Sequence, residues 1–206
     1  MNRIDIMVDL ETLGVGECPP LLQITAIPFS LTDENENFKG LEYNRVINIE
    51  NINSINGKTL KWWFNTDKEL LADLVNGVVG EGKIDTVSEA ESVRLFVDFI
   101  NKLKHHYKDA EVYLWGNGIL FDHRILSNKC KCYGYEYPIF YRNDRDVRTI
   151  SELAALKLGM ASTEDFRKSI ENTGRPHNAH DDVLYQIKCV QKAYEILMGN
   201  REDFWN

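Results

Sequence analysis

The chain has 206 residues, 24 Lys and Arg against 32 Asp and Glu, and a formal charge of −8 at pH 7. That length can bury a sizeable core, nothing separates two domains, and 1–206 reads as one domain. There is no repeat, no low-complexity tract and no bilayer-length apolar run, which excludes solenoids and membrane spans, and the acidic balance speaks against a broad basic footprint on nucleic acid.

The first element is a strand over about residues 3–10, built on the apolar run Ile4 to Val8. Met-Asn-Arg-Ile-Asp runs straight into it and leaves no room for a signal peptide, so a cytoplasmic protein is expected, made in the host cytoplasm if viral. Alternate strand residues share a face, so Asp9 and Glu11 point the same way. Gly14, Gly16, Pro19 and Pro20 then mark a loop, which puts both carboxylates at the carboxyl end of a strand, the usual place for a site in α/β sheets. An isolated D-x-E is better explained by a solvated surface pair.

Strands over 22–30 and 41–49 follow, then helices from Thr59 to Val79 and a helix from Ser88 to Tyr107. Trp62 and Trp63 are adjacent, so on a helix they point about 100° apart and cannot both enter one core face. Burial with a bonded indole N–H is the commoner fate of a Trp. The other is stacking on a nucleobase, worth about 1–3 kcal/mol in single-strand binders, for which Trp62 is the candidate. His105 and His106 close the last of these helices, where cations suit the macrodipole.

A strand at Val112 to Trp115 leads into Gly-Asn-Gly and a helix whose apolar face includes Ile125 and Leu126. Asp122 fits the first turn there, a position that ordinary capping and macrodipole chemistry also explains. A helix from Arg145 to Lys157 comes next. The last motif is Gly174-Arg-Pro-His-Asn-Ala-His-Asp-Asp182, ahead of an amphipathic run through Val183, Ile187, Val190 and Tyr194. Pro176 keeps that helix from beginning much before His177, which belongs on the preceding loop or the first turn. On an ideal helix residues five apart diverge by about 140°, so pattern geometry nominates Asp181 as readily as Asp182. Cys18, Cys130, Cys132 and Cys189 lack paired zinc-ligand spacing and read as free thiols.

Three successive strands, then helices alternating with strand, suit an α/β mixed sheet flanked by helices. Asp9, Glu11, Asp122 and Asp182 are widely separated, each where a strand or helix would end. Gathered in one cleft they cannot all stay ionised without cations, and divalent metals are the candidates.

Together these residues resemble the DEDD exonucleases of the His subtype, the superfamily of proofreading 3′-to-5′ exonucleases, ribonuclease T and oligoribonuclease. Asp9 and Glu11 match D-x-E, Asn117 with Phe121 and Asp122 matches N-x-x-x-[FY]-D, and His177 with Asp182 matches H-x-x-x-x-D, in the family's order. Thr59-Leu-Lys-Trp-Trp63 and Arg145-Asp-Val-Arg-Thr-Ile150 are similar to features of a smaller group, the phage exonuclease A (DexA-type) proteins and the mycobacterial type of 3′-to-5′ exoribonuclease. The resemblance implies a ribonuclease-H-like (DnaQ-like exonuclease) fold in a stand-alone nuclease.

It further implies hydrolysis of single-stranded DNA or RNA from the 3′ end to nucleoside 5′-monophosphates, with two divalent metal ions, Mg²⁺ or Mn²⁺. Asp9 would bridge both ions, Glu11 and Asp182 would complete one site, and Asp122 would hold the other largely through water. His177 would take the proton from the attacking water. By the same resemblance, backbone groups near Thr12 and Leu13 grip the terminal nucleotide, Leu13 or Phe121 wedges beside its base, and Asn117 orients the substrate. Each has a structural reading too: loop packing for Leu13, core for Phe121, a Gly-Asn-Gly turn for Asn117. A homodimer is compatible with the resemblance; a membrane partner is not expected.

The acidic charge fits contact with only a few nucleotides at a 3′ end, with some subset of Arg124, Arg142, Arg145 and Arg148 on phosphate. The alternative from another class is a catalytically silent nucleic-acid-end-binding protein on the same fold. Intact residues at all five catalytic positions argue against it. A third reading, a structural cation site stiffening the sheet, predicts a gain in melting temperature with Ca²⁺ or Mg²⁺ and no hydrolysis.

Overall fold

The protein is described here in a computed structural model over residues 3–199, apart from 33–37, 51, 53, 80, 81, 84 and 85. Met1 and Asn2, which the sequence runs into the first strand, lie outside the described residues. In chain order the first half comprises β1 (Arg3–Thr12), β2 (Leu21–Phe29), β3 (Tyr43–Val46), α1 (Gly57–Thr66), α2 (Lys68–Val75), β4 (Val78–Val79), β5 (Gly82–Lys83) and α3 (Glu89–His106). The second half comprises β6 (Glu111–Gly116), α4 (Ile119–Cys132), β7 (Asp144–Asp146), α5 (Val147–Lys157), α6 (Thr163–Lys168) and α7 (Ala179–Met198).

Five strands form the main sheet in the order β3-β2-β1-β6-β7. β2 runs antiparallel to both β1 and β3, whereas β6 runs parallel to β1 and β7. This is the mixed sheet flanked by helices that the element order implies. β1 lies at its centre and is almost wholly buried.

The period of two along β1 divides the molecule. Ile4, Ile6, Val8 and Leu10 face a core shared with Phe96 and Ile100 of α3 and Ile125 and Leu126 of α4. Met7 faces the other way and packs with Phe29, Trp115 and the α7 residues Val183, Ile187 and Val190. Asp9 and Glu11 share the Met7 face by the same alternation, so two acids at the end of the central strand are turned toward α7.

Helix boundaries follow local chemistry. Ser88 accepts a hydrogen bond from the Glu91 N–H at the start of α3, and Lys104, His105 and His106 occupy its last turn. Asn178 caps α7 by accepting from the N–H groups of His180 and Asp181, two residues after Pro176.

Several expected elements are re-cut. The helical stretch expected over Thr59 to Val79 breaks at Asp67, whose side chain caps α2 while its N–H donates to the Trp63 carbonyl. It stops at Val75. Gly77, at φ 69°, turns the chain so that Val78 and Val79 pair with Lys83 and Gly82. The strand expected over 41–49 contracts to β3, beyond which Ile47 bridges to Val87 and donates its N–H to the Leu22 carbonyl at 2.9 Å. The helix expected from Arg145 begins at Val147, because Asp144–Asp146 pair with β6 as a parallel edge strand and Asp146 is the cap. The helix placed after Asp122 opens at Ile119 and holds Asp122 in its first turn. Among the described residues no helix is long and apolar enough to cross a membrane.

Candidate active site

Asp9 and Glu11 end the central strand, and Asp182 stands in the first turn of α7, which packs across β1 and β2. One carboxylate oxygen from each of the three lies within 4.8 Å of the others. The docking of α7 that creates this proximity is itself pinned. The Ala179 N–H donates to Oε1 of buried Gln23 on β2 at 3.1 Å, and Gln186, one turn past Asp182, donates from Nε2 to Asp9 Oδ1 at 3.1 Å. Asp182 in turn accepts from the His177 N–H at 2.9 Å.

Asp122 approaches from the start of α4 and is 5 % exposed, beside the triad rather than within it. Room for it depends on Gly116 at the end of β6, where a Cβ would stand 3.1 Å from Asp122 Oδ2. The Leu10 backbone of β1 lies close enough to the same carboxylate to favour its charged form.

All four carboxyls hold protons more tightly than usual. Burial is the main cause for Asp9, followed by the charges of Asp122 and Asp182, and the bond from Gln186 only partly opposes it. Burial and then Asp9 raise Glu11 well above the ordinary range. Burial pushes Asp122 up to about 7, against the pull of Arg148, and raises Asp182 against the bond from His177. None of the four joins a salt bridge among the described residues. An all-oxygen donor set short of positive charge is the environment that suits a hard divalent cation.

His177 lies on the loop ahead of α7 with φ 66°, a left-handed conformation uncommon outside glycine. Its half-buried ring meets Trp62 edge to face, with centroids 4.9 Å apart. Trp62 is 43 % exposed whereas Trp63 is 1 % exposed, so the adjacent pair divides between surface and core as its helical spacing requires. Trp63 donates from Nε1 to the Thr12 carbonyl at 3.0 Å.

The loop is strapped by Arg175, whose guanidinium donates to both oxygens of Asp67 at 2.9 and 2.7 Å and to Asp73 at 3.0 Å. The Arg175 N–H donates to Asp181 Oδ2 at 2.8 Å. Asp181 therefore turns to the loop while Asp182 turns to the triad. Helical spacing leaves the two open because His177 stands off the helix, before the Asn178 cap, where that spacing does not apply.

The expected substrate contacts divide. Thr12 is buried, and its Oγ1 donates to the Gly14 carbonyl. Leu13 is 1 % exposed among Trp63, Leu70 and Leu74, with its N–H donated to Pro20 and its carbonyl accepting from Asn56. Its side chain is packed into that cluster and away from solvent. Phe121 is partly buried against the main core. Asn117 stands beside Gly118, at φ 99°, and its Oδ1 accepts from Arg148 Nε and Arg167 Nη1, each at 3.4 Å.

Of the four arginines proposed for phosphate, three are engaged elsewhere. Arg124 donates to the Gly16 carbonyl, Arg142 to the Tyr141 hydroxyl and Arg145 to the Asp144 carbonyl. Only Arg148 reaches the motif. Gln186, Arg175 and Arg167 escape the sequence reading. Gln186 had a signal, since it lies four residues past Asp182 on the same helical face. The two arginines had none, because Asp67, Asp73 and Asn117 are remote in sequence.

The model of the 3′-5′ exoribonuclease Rv2179c-like domain matches residues 4–194. An exodeoxyribonuclease of Enterobacteria phage T4 is 25 % identical over 217 aligned positions, covering 95 % of this chain and 91 % of that protein. The nuclease domain of 3′hExo, a DEDDh family member solved bound to rAMP, superposes with a TM-score of 0.58 at 14 % identity, covering 96 % of this chain and 94 % of that one. The RNase domain of yeast Pop2 superposes at 0.51 with 9 % identity, covering 95 % and 76 %. At those identities the two structures speak to the fold, which is ribonuclease-H-like.

Proposed function

Because the chain belongs to the Rv2179c-like family of 3′-5′ exoribonuclease domains, and so to the DEDDh exonuclease superfamily, we propose that it removes nucleoside 5′-monophosphates from the 3′ end of single-stranded DNA or RNA. The exonuclease class and the hydrolase chemistry come with the family. The single-stranded substrate, the ion count and the residue roles are our reading. The observation that carries it is the gathering of Asp9, Glu11 and Asp182 within 4.8 Å, with Asp122 alongside, although none of the four joins a salt bridge among the described residues.

In this reading the four carboxylates would hold two divalent ions, Mg²⁺ or Mn²⁺, which when bound would supply charge stabilisation to the hydrolysis of the phosphodiester. Asp9, Glu11 and Asp182 would hold one part of the metal site, and Asp122, beside them, would serve the other, with Asp9 common to both. The position of Asp122 outside the tight triad supports this division.

His177 accepts the proton of the attacking water at a ring nitrogen, the general-base role that an imidazole most often fills. Its placement supports the role: the His177 N–H is tied to Asp182, and the ring is backed by Trp62. Asn117 and the open face of Trp62 are the substrate contacts we favour, while Thr12, Leu13 and Phe121 shape the walls behind them.

We extend the same reading to one domain over 1–206 and to the cytoplasm, where nucleic-acid 3′ ends arise. A homodimer is part of it as well, supported by the exposed Leu153 and Leu156 on α5 and testable by sedimentation. The deciding experiment uses 5′-labelled single-stranded DNA and RNA with Mn²⁺ or Mg²⁺, and Asp182→Ala as control. A metal-dependent ladder shortening from the 3′ end, absent in the variant, is the expected result. Intact oligonucleotides throughout would instead leave a silent end-binding protein.

A further inference from the structure

Arg148 and Arg167 come from α5 and α6, 19 positions apart in sequence, yet both guanidiniums donate to one neutral amide oxygen, Asn117 Oδ1. Two like charges brought to one atom repel, and a single amide carbonyl does little to offset that. In a chain with 32 acidic residues a carboxylate partner would be the ordinary solution. Arg3, Arg94 and Arg175 each have one. Among the described residues neither Arg148 nor Arg167 joins a salt bridge.

Nor are the two side chains loose. The Arg148 fork lies against the backbone at Gly118, where a Cβ would come within 2.9 Å of its Cζ. The Arg167 guanidinium lies 5.6 Å from the Tyr185 ring centroid, and the Tyr185 hydroxyl donates to the Arg167 carbonyl at 2.7 Å. Arg148 acts on Asp122 and Arg167 on Asp182, so the pair borders the carboxylate cluster without being consumed by it. The missing complement is an anion that accepts from two forks at once, and a phosphate does so with directional, charge-assisted bonds.

We propose that Arg148 and Arg167 clamp one non-scissile backbone phosphate of the substrate strand, with Asn117 holding the two forks apart from the acids until that phosphate arrives. The assignment rests on the exonuclease reading, in which the scissile phosphate belongs to the carboxylate-held ions and the clamp takes a neighbour. It also accounts for how a chain of charge −8 holds a strand: by a local pair beside the site rather than by a basic stripe.

The test compares wild type with Arg148→Ala, Arg167→Ala, the double variant and the two Arg→Lys variants. Binding is read by anisotropy with a fluorescent single strand whose 3′-terminal linkage is an uncharged, uncleavable methylphosphonate, so that every remaining phosphate is non-scissile. The double Ala variant should bind about ten- to hundred-fold more weakly, with the Lys variants between. Its slope of log affinity against log salt should flatten by about 0.7, the value of one single-strand phosphate contact.

In the cleavage arm, kcat/KM on an oligonucleotide should fall at least about ten-fold further than on the p-nitrophenyl ester of thymidine 5′-monophosphate, which has the scissile phosphodiester alone. Equal losses on the two substrates, an unaltered salt slope, or no wild-type binding would overturn the clamp. Wild type that binds the strand but cleaves neither substrate would sink the exonuclease reading, and the binding arm would still decide the clamp.

Discussion

At the scale of the residue, the cluster's own electrostatics sets its behaviour. Each of the four carboxyls is raised above its ordinary value, so the folded protein without ions holds protons that the unfolded chain releases. That contribution to stability is present below about pH 4 and lost as pH rises through the raised values, which for Asp122 means through about 7. Divalent ions need the deprotonated ligands and restore what is lost. The gain in melting temperature on adding excess Mn²⁺ should therefore be larger at about pH 7.5 than at about pH 5, read by scanning fluorimetry. A larger gain at the lower pH would contradict the assignment of these acids as ligands.

The same reasoning separates ligand from base. Asp182→Ala should lower the rate by about a thousand-fold or more, because an ion's several kcal/mol of charge stabilisation goes with it. Its melting temperature without ions should rise, since one member of a repelling set is gone. His177→Ala should lose about 10²- to 10⁴-fold in kcat while the Mn²⁺-induced rise in melting temperature persists. Loss of that rise in the His177 variant would make the imidazole a ligand instead of a base.

At the scale of the element, the site depends on how α7 and its preceding loop are fastened. Arg175 ties the loop to Asp67 and Asp73, and Asp67 is also the cap that divides α1 from α2. The bridge is largely exposed, so its stability value is no more than about 1 kcal/mol. Arg175→Ala should accordingly shift the melting temperature by only about 2–4 °C. It should cost about ten-fold or more in kcat by releasing the loop that holds His177 against Trp62 of α1. A large thermal loss with unchanged kcat would mean that the strap is purely structural. On β6 the analogous dependence is steric: Gly116→Ala places a Cβ 3.1 Å from Asp122 Oδ2 and 3.3 Å from the Ile119 backbone. That variant should fold and lose activity through displacement of Asp122, which weaker Mn²⁺ binding would reveal.

Legibility at this scale tracked the range of the forces involved. α3 and α7 have caps and apolar periods written within a dozen residues, and the sequence places both. β7 is three half-buried residues, Asp144, Arg145 and Asp146, placed by pairing with β6 and by long-range bonds to α4, as between Asp144 Oδ1 and His123 Nδ1 at 2.6 Å. Nothing local marks such a strand, so an expected helix overran it. Val78 and Val79 continue an apolar run, and only Gly77 and the pairing with Gly82 and Lys83 turn them into a hairpin.

At the scale of the whole molecule, the charge of −8 restricts how much nucleic acid the protein holds at once. A recessed or blunt duplex would bring a second line of phosphates against an acidic surface. Annealing a complementary strand over the 3′ end should slow degradation by about ten-fold or more, with the deficit growing as ionic strength is lowered. Equal rates on single strand and duplex would point to a separate binding surface for the second strand.

The sequence by itself carried the marks of the family. The acids Asp9, Glu11, Asp122 and Asp182, the histidine at position 177, the shared face of Asp9 and Glu11, and the order of the three motifs are all local facts, and they sufficed to indicate the family. In the sequence only the resemblance separates Asp182 from Asp181, and the tertiary structure adds the geometry that sets Asp182 beside Asp9 and Glu11; it alone withdrew Leu13 into the core, joined Trp62 to His177 and brought Arg148 and Arg167 to one atom. The difference is physical. Strand alternation and capping act between near neighbours in sequence, whereas packing and ion pairing act between neighbours in space, and those are fixed only when α7 and α5 close against the sheet.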